Sequence, residues 1–227
     1  MARKTKEGAQ ATRESILDAA ELCFLQQGVF RTTLEHIAAR AGCTRGAVYW
    51  HFKNKLEVLD VVMDRIEQPL ISGLEQLDLA SHDQPIHALR AFYQRSFDEF
   101  ARNPHARNAI EILTLRCELV RETQSILLRQ QESMTRTLNG AIDAFRRARQ
   151  LGQLREHLDP DTCAMTVHCL LHGIVKEWLL SPRMSALQRE GMAVLDVVLD
   201  GFLRDGLQSL GPPDDGPDDV TGPADPV

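Results

Sequence analysis

The stretch from Thr44 to Lys55 combines many side chains that can contact nucleic acid with few that can fill a core. An arginine on such a surface can donate two hydrogen bonds to the O6 and N7 atoms of guanine. Two lysines close the stretch. We therefore expect a short helix that enters the major groove of DNA. Its polar and aromatic members are Arg45, Tyr49, Trp50 and His51, and its core-directed members are Ala47, Val48 and Phe52.

A second chemical possibility lies in His168 and His172, which are four residues apart and would share one face of a helix. This spacing occurs in two-histidine metal sites. The glutamate of an HExxH motif is missing, and a third ligand could be sought only among Cys163, Cys169 and Glu177. We expect hydrogen-bonding pocket or core histidines, no metal and no cofactor. A helical metalloenzyme that uses both histidines is the alternative from a different functional class.

The charge of the chain is distributed unevenly along its length. The 227 residues carry a net charge of -6, but residues 1–60 contain nine Lys or Arg against seven Asp or Glu, a net of +2. Local phosphate contacts determine affinity for DNA more than total charge does. A weakly basic N-terminal module on an acidic body is therefore compatible with DNA binding.

No apolar run approaches the roughly 18 residues that a membrane span needs, and the N-terminus lacks the apolar stretch of a signal peptide. We expect a cytoplasmic protein with no membrane partner. The five cysteines are odd in number and scattered, a pattern that does not suit a disulfide framework, so reduced, buried thiols are expected.

The N-terminal part of the chain is predicted to hold three helices. Apolar residues recur at helical spacing over about 12–28. Thr33 can cap a short helix over about 34–41, Gly42 turns the chain, and Thr44 caps the next helix. Two short helices joined in this way predict a helix-turn-helix.

The remainder is predicted to be helical as well, which gives an all-α fold of about nine helices. The later helices are expected from about 55 and over about 85–101, 105–121, 122–151, 160–180 and 185–207. The apolar faces of the last two are broader than one core requires, so we expect a homodimer through them. The expected domains are a flexible basic arm (1–10), a helix-turn-helix DNA-binding domain (11–55), a ligand-binding and dimerisation domain (56–210) and a disordered acidic tail (211–227).

The first 60 residues closely resemble the tetracycline-repressor (TetR) family of bacterial transcription regulators. The opening Ala-Arg-Lys-Thr-Lys-Glu, Glu111-Ile112-Leu113 and Cys117-Glu118 further resemble the branch that represses multidrug efflux operons. The resemblance implies an all-α homodimer that binds a palindromic, double-stranded operator and carries an inducer pocket in its C-terminal domain. It rests on Thr12-Arg13, Ile16–Ala20, Gly28, Thr32-Thr33, Ile37-Ala38, Ala41-Gly42, the block Thr44–Phe52 and Lys53-Asn54-Lys55.

The resemblance also implies roles for single residues at the DNA surface. Arg45 is the candidate for reading a base edge, and Gly46 would let the helix approach DNA closely. Trp50 has two open interpretations, contact with DNA or packing against the first helix. The candidate DNA-binding residues are Thr33, Thr44, Arg45, Gly46, Tyr49, Trp50, His51, Lys53 and Lys55, with Thr33, Tyr49, His51, Lys53 and Lys55 assigned to phosphates.

The C-terminal domain offers a set of large apolar residues interrupted by a few polar ones. Each alone is more often plain core, but the resemblance requires a cavity among these helices. A mostly apolar cavity suits a small hydrophobic or aromatic inducer. The candidates are Phe92, Tyr93, Ser96, Ile110, Thr114, Met134, Leu138, Ala141, His168, Leu171, His172 and Val175.

The predicted function is a DNA-binding repressor of a multidrug efflux operon, released from its operator by a small hydrophobic ligand. Within the same family, control of a catabolic or stress operon is the alternative.

Overall fold

A computed structural model describes residues 2–118, 123–181 and 186–207, without the side chains of 2–6, 66–70 and 127. In this part of the chain the all-α prediction is confirmed, and an isolated bridge between Leu154 and Leu203 is the one extended pairing found there. None of the described helices is both long and apolar enough to cross a bilayer. The helices are α1 Ala2–Arg31, α2 Leu34–Ala41, α3 Arg45–His51, α4 Lys55–Glu75, α5 Pro85–Arg102, α6 Pro104–Glu111, α7 Gln124–Gln150, α8 Pro160–Leu180 and α9 Met192–Phe202, with π-helical segments at Ile112–Arg116 and Leu187–Gly191.

Local capping determines the helix-turn-helix. The hydroxyl of Thr33 accepts a hydrogen bond from the backbone nitrogen of His36 at 3.3 Å, and that of Thr44 accepts one from Ala47 at 3.2 Å. Between the two helices Gly42 has a φ of 67°, a left-handed conformation that costs glycine little. α2 and α3 therefore begin and end where the sequence predicts.

The structure differs from the expectation of a flexible arm at residues 1–10, because α1 begins at Ala2. Within this segment the hydroxyl of Thr12 donates to the carbonyl of Gly8 at 2.9 Å, and the amide of Gln10 donates to Glu14 at 2.7 Å. No proline interrupts the segment, so the polar residues extend a helix that the apolar residues after Thr12 have already nucleated. Lack of apolar periodicity shows that a segment is not buried, but it does not exclude a helix.

α4 joins the DNA-binding part to the rest of the molecule. Its Val58, Leu59 and Val62 are buried in one continuous core that includes Phe24 of α1. α4 also packs against α6 and α7. A displacement of α4 relative to α7 would therefore also displace α1.

The last helix ends earlier than the predicted 185–207. α9 stops at Phe202, because the chain from Leu203 turns back along the loop after α7. There Arg155 donates its backbone nitrogen to the carbonyl of Phe202 at 3.1 Å, and Arg204 donates to that of Gln153 at 2.9 Å. The predicted helix over 105–121 is likewise divided, into α6 and the π-helical segment that ends before Cys117.

The expected acidic tail over 211–227 lies outside the described residues. All five cysteines are free thiols, but they are not all buried as expected. Cys23 and Cys163 are buried, Cys43 and Cys117 are partly buried, and Cys169 is exposed.

Candidate DNA-binding helix and ligand cavity

α3 presents a polar and aromatic face to solvent. Trp50 is 72% exposed and Tyr49 46%, whereas Val48 and Phe52 are buried in the core of the N-terminal bundle. Trp50 lies edge-on to His51, with ring centroids 4.5 Å apart. The exposure of Trp50 removes the interpretation in which it packs against the first helix.

Arg45 is held across the helix-turn-helix by α2. Its guanidinium lies 2.8 Å from the carboxylate of Glu35, donates a hydrogen bond to the hydroxyl of Tyr49 at 3.1 Å, and sits 5.2 Å from the centroid of that ring. The hydrogen bond to Tyr49, followed by the charge of Glu35, raises the pKa of Arg45. The candidate base-reading group is thus oriented before any DNA arrives.

The two threonines of this surface are engaged as caps, but each hydroxyl retains its own proton for donation outwards. Gly46 follows Thr44 in an open position. A Cβ atom added to Gly46 would have the Thr44 hydroxyl oxygen, 3.8 Å away, as its nearest neighbour. The protein itself would therefore accept a side chain there.

His51 and Arg13 lie close to one another below the exposed face. Partial burial and the positive charge of Arg13 lower the pKa of His51. Arg13 also lies 5.3 Å from the centroid of the Phe52 ring. A neutral His51 can still donate one N–H to a phosphate, but it adds no charge.

Lys55 has a role that the sequence does not reveal. Its ammonium donates to the carbonyls of Val29 and Phe30 at 2.9 and 2.7 Å, and lies 5.7 Å from the ring centroid of Phe30. It therefore holds the end of α1 against the start of α4. Lys53 is exposed, and its backbone nitrogen donates to Glu57 at 2.6 Å.

A cavity of about 440 Å³ lies among α4 to α8 in the C-terminal domain. Ten of the twelve predicted pocket residues line it, the exceptions being Leu138 and Ala141. Eight further residues, which the sequence pattern did not indicate, line the cavity as well. These are Met63, Phe97, Phe100, Leu113, Gln130, Ser133, Thr137 and Lys176.

Leu138 and Ala141 lie outside the lining of this cavity. Ala141 is fully buried in the core, and Leu138 packs against that core. α7 lines the cavity over Gln130 to Thr137 and then continues beyond its end. At 1.5 Å per residue, Ala141 lies about one turn past Thr137. Some of the eight further lining residues continue the predicted stripe on α5, since Phe97 and Phe100 follow Ser96 at helical spacing.

The polar groups on α8 are spaced four residues apart. The rings of His168 and His172 have centroids 4.4 Å apart, and Nδ1 of His172 lies 2.8 Å from the carbonyl of His168. Burial, followed by the charge of His172, lowers the pKa of His168. Within the described residues no group of three or more His, Cys, Asp or Glu could hold a metal ion. Both histidines line the cavity.

Two sequence profiles account for most of the chain. Residues 16–62 match the bacterial regulatory proteins of the tetR family, and residues 84–203 match the C-terminal region of MAATS-type transcriptional repressors. The chain belongs to the TetR family. A TetR-family protein is a DNA-binding transcriptional regulator and not an enzyme, so the metalloenzyme alternative is wrong.

Related regulators cover nearly the full length of the chain. The regulator TtgR of Pseudomonas putida is 34% identical over 182 residues, which are 80% of this chain and 87% of TtgR. SmeT, the repressor of the Stenotrophomonas maltophilia multidrug efflux pump SmeDEF, is 43% identical, with a TM-score of 0.73 over 87% of this chain and 93% of SmeT. A SmeT–triclosan complex gives 44% identity and a TM-score of 0.76, over 86% and 93% of the two chains.

Proposed function

We propose that this TetR-family protein represses a multidrug efflux operon, and that a small hydrophobic or aromatic ligand releases it from a palindromic operator. One observation carries the proposal. The same helix, α4, contributes Met63 to the cavity wall and Lys55 to the contact with the end of α1. A ligand that changes the cavity wall can therefore act on the DNA-binding domain through a single rigid element. The relatedness to efflux repressors such as SmeT supports the choice of operon.

On the DNA side, α3 enters the major groove and Arg45 reads a base edge. Thr33, Tyr49, His51 and Lys53 bind phosphates, which position the helix without reading sequence. The open position at Gly46 supports this arrangement, because the protein leaves room for a side chain that close approach of DNA would exclude.

A second subunit completes the binding unit. α8 and α9 leave apolar side chains in water, with Val197 75% exposed, Met165 46% and Val194 42%. Large exposed apolar side chains clustered on two neighbouring helices are typical of a subunit interface. The dimer brings two copies of α3 onto half-sites about one helical turn apart or a multiple of it. Operator binding places the protein in the bacterial cytoplasm.

Release from the operator is a shift of population from the DNA-bound form of the dimer to a released form. The ligand favours a spacing of the two recognition helices that no longer matches successive major grooves. To do so it must bind the released form more tightly than the DNA-bound form.

Fluorescence anisotropy with the DNA upstream of the protein's own gene tests the proposal. The expected dissociation constant is at least about a thousandfold lower for this DNA than for a scrambled duplex at the same salt. Equally weak, salt-sensitive binding to both duplexes would contradict the repressor function. Triclosan is a suitable first ligand to try for release.

The identity of the operon has a separate test. If genes for an efflux pump lie beside this one and are induced when the gene is deleted, the efflux assignment holds. Induction of catabolic or stress genes instead would replace it.

A further inference from the structure

We propose that the mouth of the cavity binds an oxyanion, so that the preferred inducers are aromatic acids held by Lys176 and His172. This rests on the proposed function, because it names the chemical class of ligand for the same cavity.

Among the described residues, the ionisable side chains of the cavity wall are three basic residues and one tyrosine. His168, His172 and Lys176 line it from α8 and Tyr93 lines it from α5, while α4, α6 and α7 contribute apolar or neutral polar side chains. Among the described lining residues there is no Asp, Glu or Arg. Beyond the wall, Glu111 pairs with Arg116 at 3.3 Å, and Arg107 lies over the ring of Trp178. The cavity therefore offers positive charge to a ligand without a competing carboxylate in its lining.

The three α8 residues form a row that leads from the interior to the rim. His168 is half-buried, whereas His172 and Lys176 are exposed at the mouth. They lie at the boundary between the part of α8 that lines the cavity and the part that faces away from it. The part that faces away carries Met165 and belongs to the proposed subunit interface. A dimer would therefore reduce the access of water to the rim of the cavity. A charge with less water around it gains more from an opposite charge.

Hydrogen bonding determines which atom of His172 faces a ligand. Since a carbonyl can only accept, Nδ1 of His172 carries the proton in the contact to the carbonyl of His168 at 2.8 Å. Nε2 is then the atom left to contact a ligand. When an oxyanion binds, Nε2 becomes a favourable donor only if it takes up a proton.

A second polar anchor lies at the inner end. Tyr93 is only 6% exposed, and its hydroxyl has no hydrogen-bond partner among the described residues. Burial raises the pKa of Tyr93, so the hydroxyl is a neutral donor. The hydroxyl of Ser96, by contrast, already donates to the carbonyl of Phe92 at 2.9 Å. A neutral acceptor on the inner end of the ligand would satisfy Tyr93.

The test compares biphenyl-4-carboxylate with biphenyl-4-carboxamide, which have nearly the same shape and differ by one charge. Titration calorimetry of the full-length protein at pH 7 is expected to show the carboxylate binding about tenfold more tightly, as a charge-assisted hydrogen bond requires.

Lys176→Gln should remove most of the preference for the carboxylate and leave carboxamide binding within about twofold. Arg95→Gln is the matched control, because Arg95 is an exposed cation on α5 that does not line the cavity. Equal affinity for the two compounds, binding of neither, or equal weakening of both by Lys176→Gln would overturn the proposal. Operator binding measured without ligand reports on the repressor function separately, so the two failures are distinguishable.

Discussion

The carboxylate of Glu118 accepts a hydrogen bond from the backbone nitrogen of Phe30 at 3.1 Å. Glu118 follows the π-helical segment that supplies Leu113 and Thr114 to the cavity wall. On the other side, the carbonyl of Phe30 accepts a hydrogen bond from Lys55. The end of α1, the start of α4 and the segment that follows the cavity wall thus meet at one residue, Phe30.

Glu118→Ala removes this link and is expected to weaken the coupling between the two sites. The ligand concentration for half-release of operator DNA should rise about threefold or more, because part of a coupling energy that is typically a few kcal/mol is lost. Anisotropy gives the release curve, and calorimetry should show ligand affinity in the absence of DNA nearly unchanged. Glu132→Ala, an exposed carboxylate on α7, is the control. An unchanged release curve for Glu118→Ala would show that coupling runs through α4 alone.

Glu35→Gln tests whether the ion pair to Arg45 opposes DNA binding. The substitution frees the guanidinium and removes a negative charge beside the phosphates, so operator affinity should rise about two- to fivefold, a small effect because the pair is exposed. The measurement is the dissociation constant at several salt concentrations, with Glu132→Gln as control. A loss of affinity would mean that the orientation of Arg45 by Glu35 contributes more to operator binding than the opposing charge of Glu35 costs.

Arg45→Ala distinguishes base reading from phosphate contact. If Arg45 reads a guanine, the substitution weakens operator binding and relaxes sequence preference at one position of each half-site. Competition with a set of single-base operator variants measures this. A uniform loss on all sequences would make Arg45 a phosphate contact.

Gly28→Ala is expected to destabilise the fold by about 1–3 kcal/mol, because few residues other than glycine adopt its backbone conformation. Gly28 has φ 81° and ψ 163°, and an added Cβ would lie 2.8 Å from a carboxylate oxygen of Glu118. Urea unfolding gives the free energy. Gly8→Ala, in the same helix with nothing within 4 Å, should be neutral or stabilising. Equal effects at both positions would contradict the conformational argument.

Val197→Glu tests the proposed subunit interface. A carboxylate at this position would have to be buried in the dimer, so the dimer dissociation constant should rise more than about tenfold and operator binding should fall with it. Sedimentation velocity measures the oligomeric state. Leu128→Glu changes a residue that is 53% exposed on α7 and should leave the dimer intact. Dimers of normal strength with Val197→Glu would exclude α9 from the interface.

Features that depend on neighbours in the sequence could be predicted from it. The caps at Thr33 and Thr44 and the turn at Gly42 are made by groups within three or four residues of one another, so their residue types alone predict where α2 and α3 begin and end. Helical spacing within α5 likewise predicts that Phe92, Tyr93 and Ser96 lie on one side of the helix, and all three line the cavity. The all-α class and the family resemblance follow from such local patterns.

Tertiary structure decided the features that depend on distance between elements. Periodicity gives the face of α7 but not the point along the helix at which the cavity beside it ends, so it does not separate Leu138 and Ala141 from the residues that line the cavity. The contacts from Glu35 to Arg45, from Lys55 to Val29 and from Glu118 to Phe30 join residues 10, 26 and 88 positions apart. A side chain's partner at that separation is determined by how the helices pack, and helical periodicity carries no information about it.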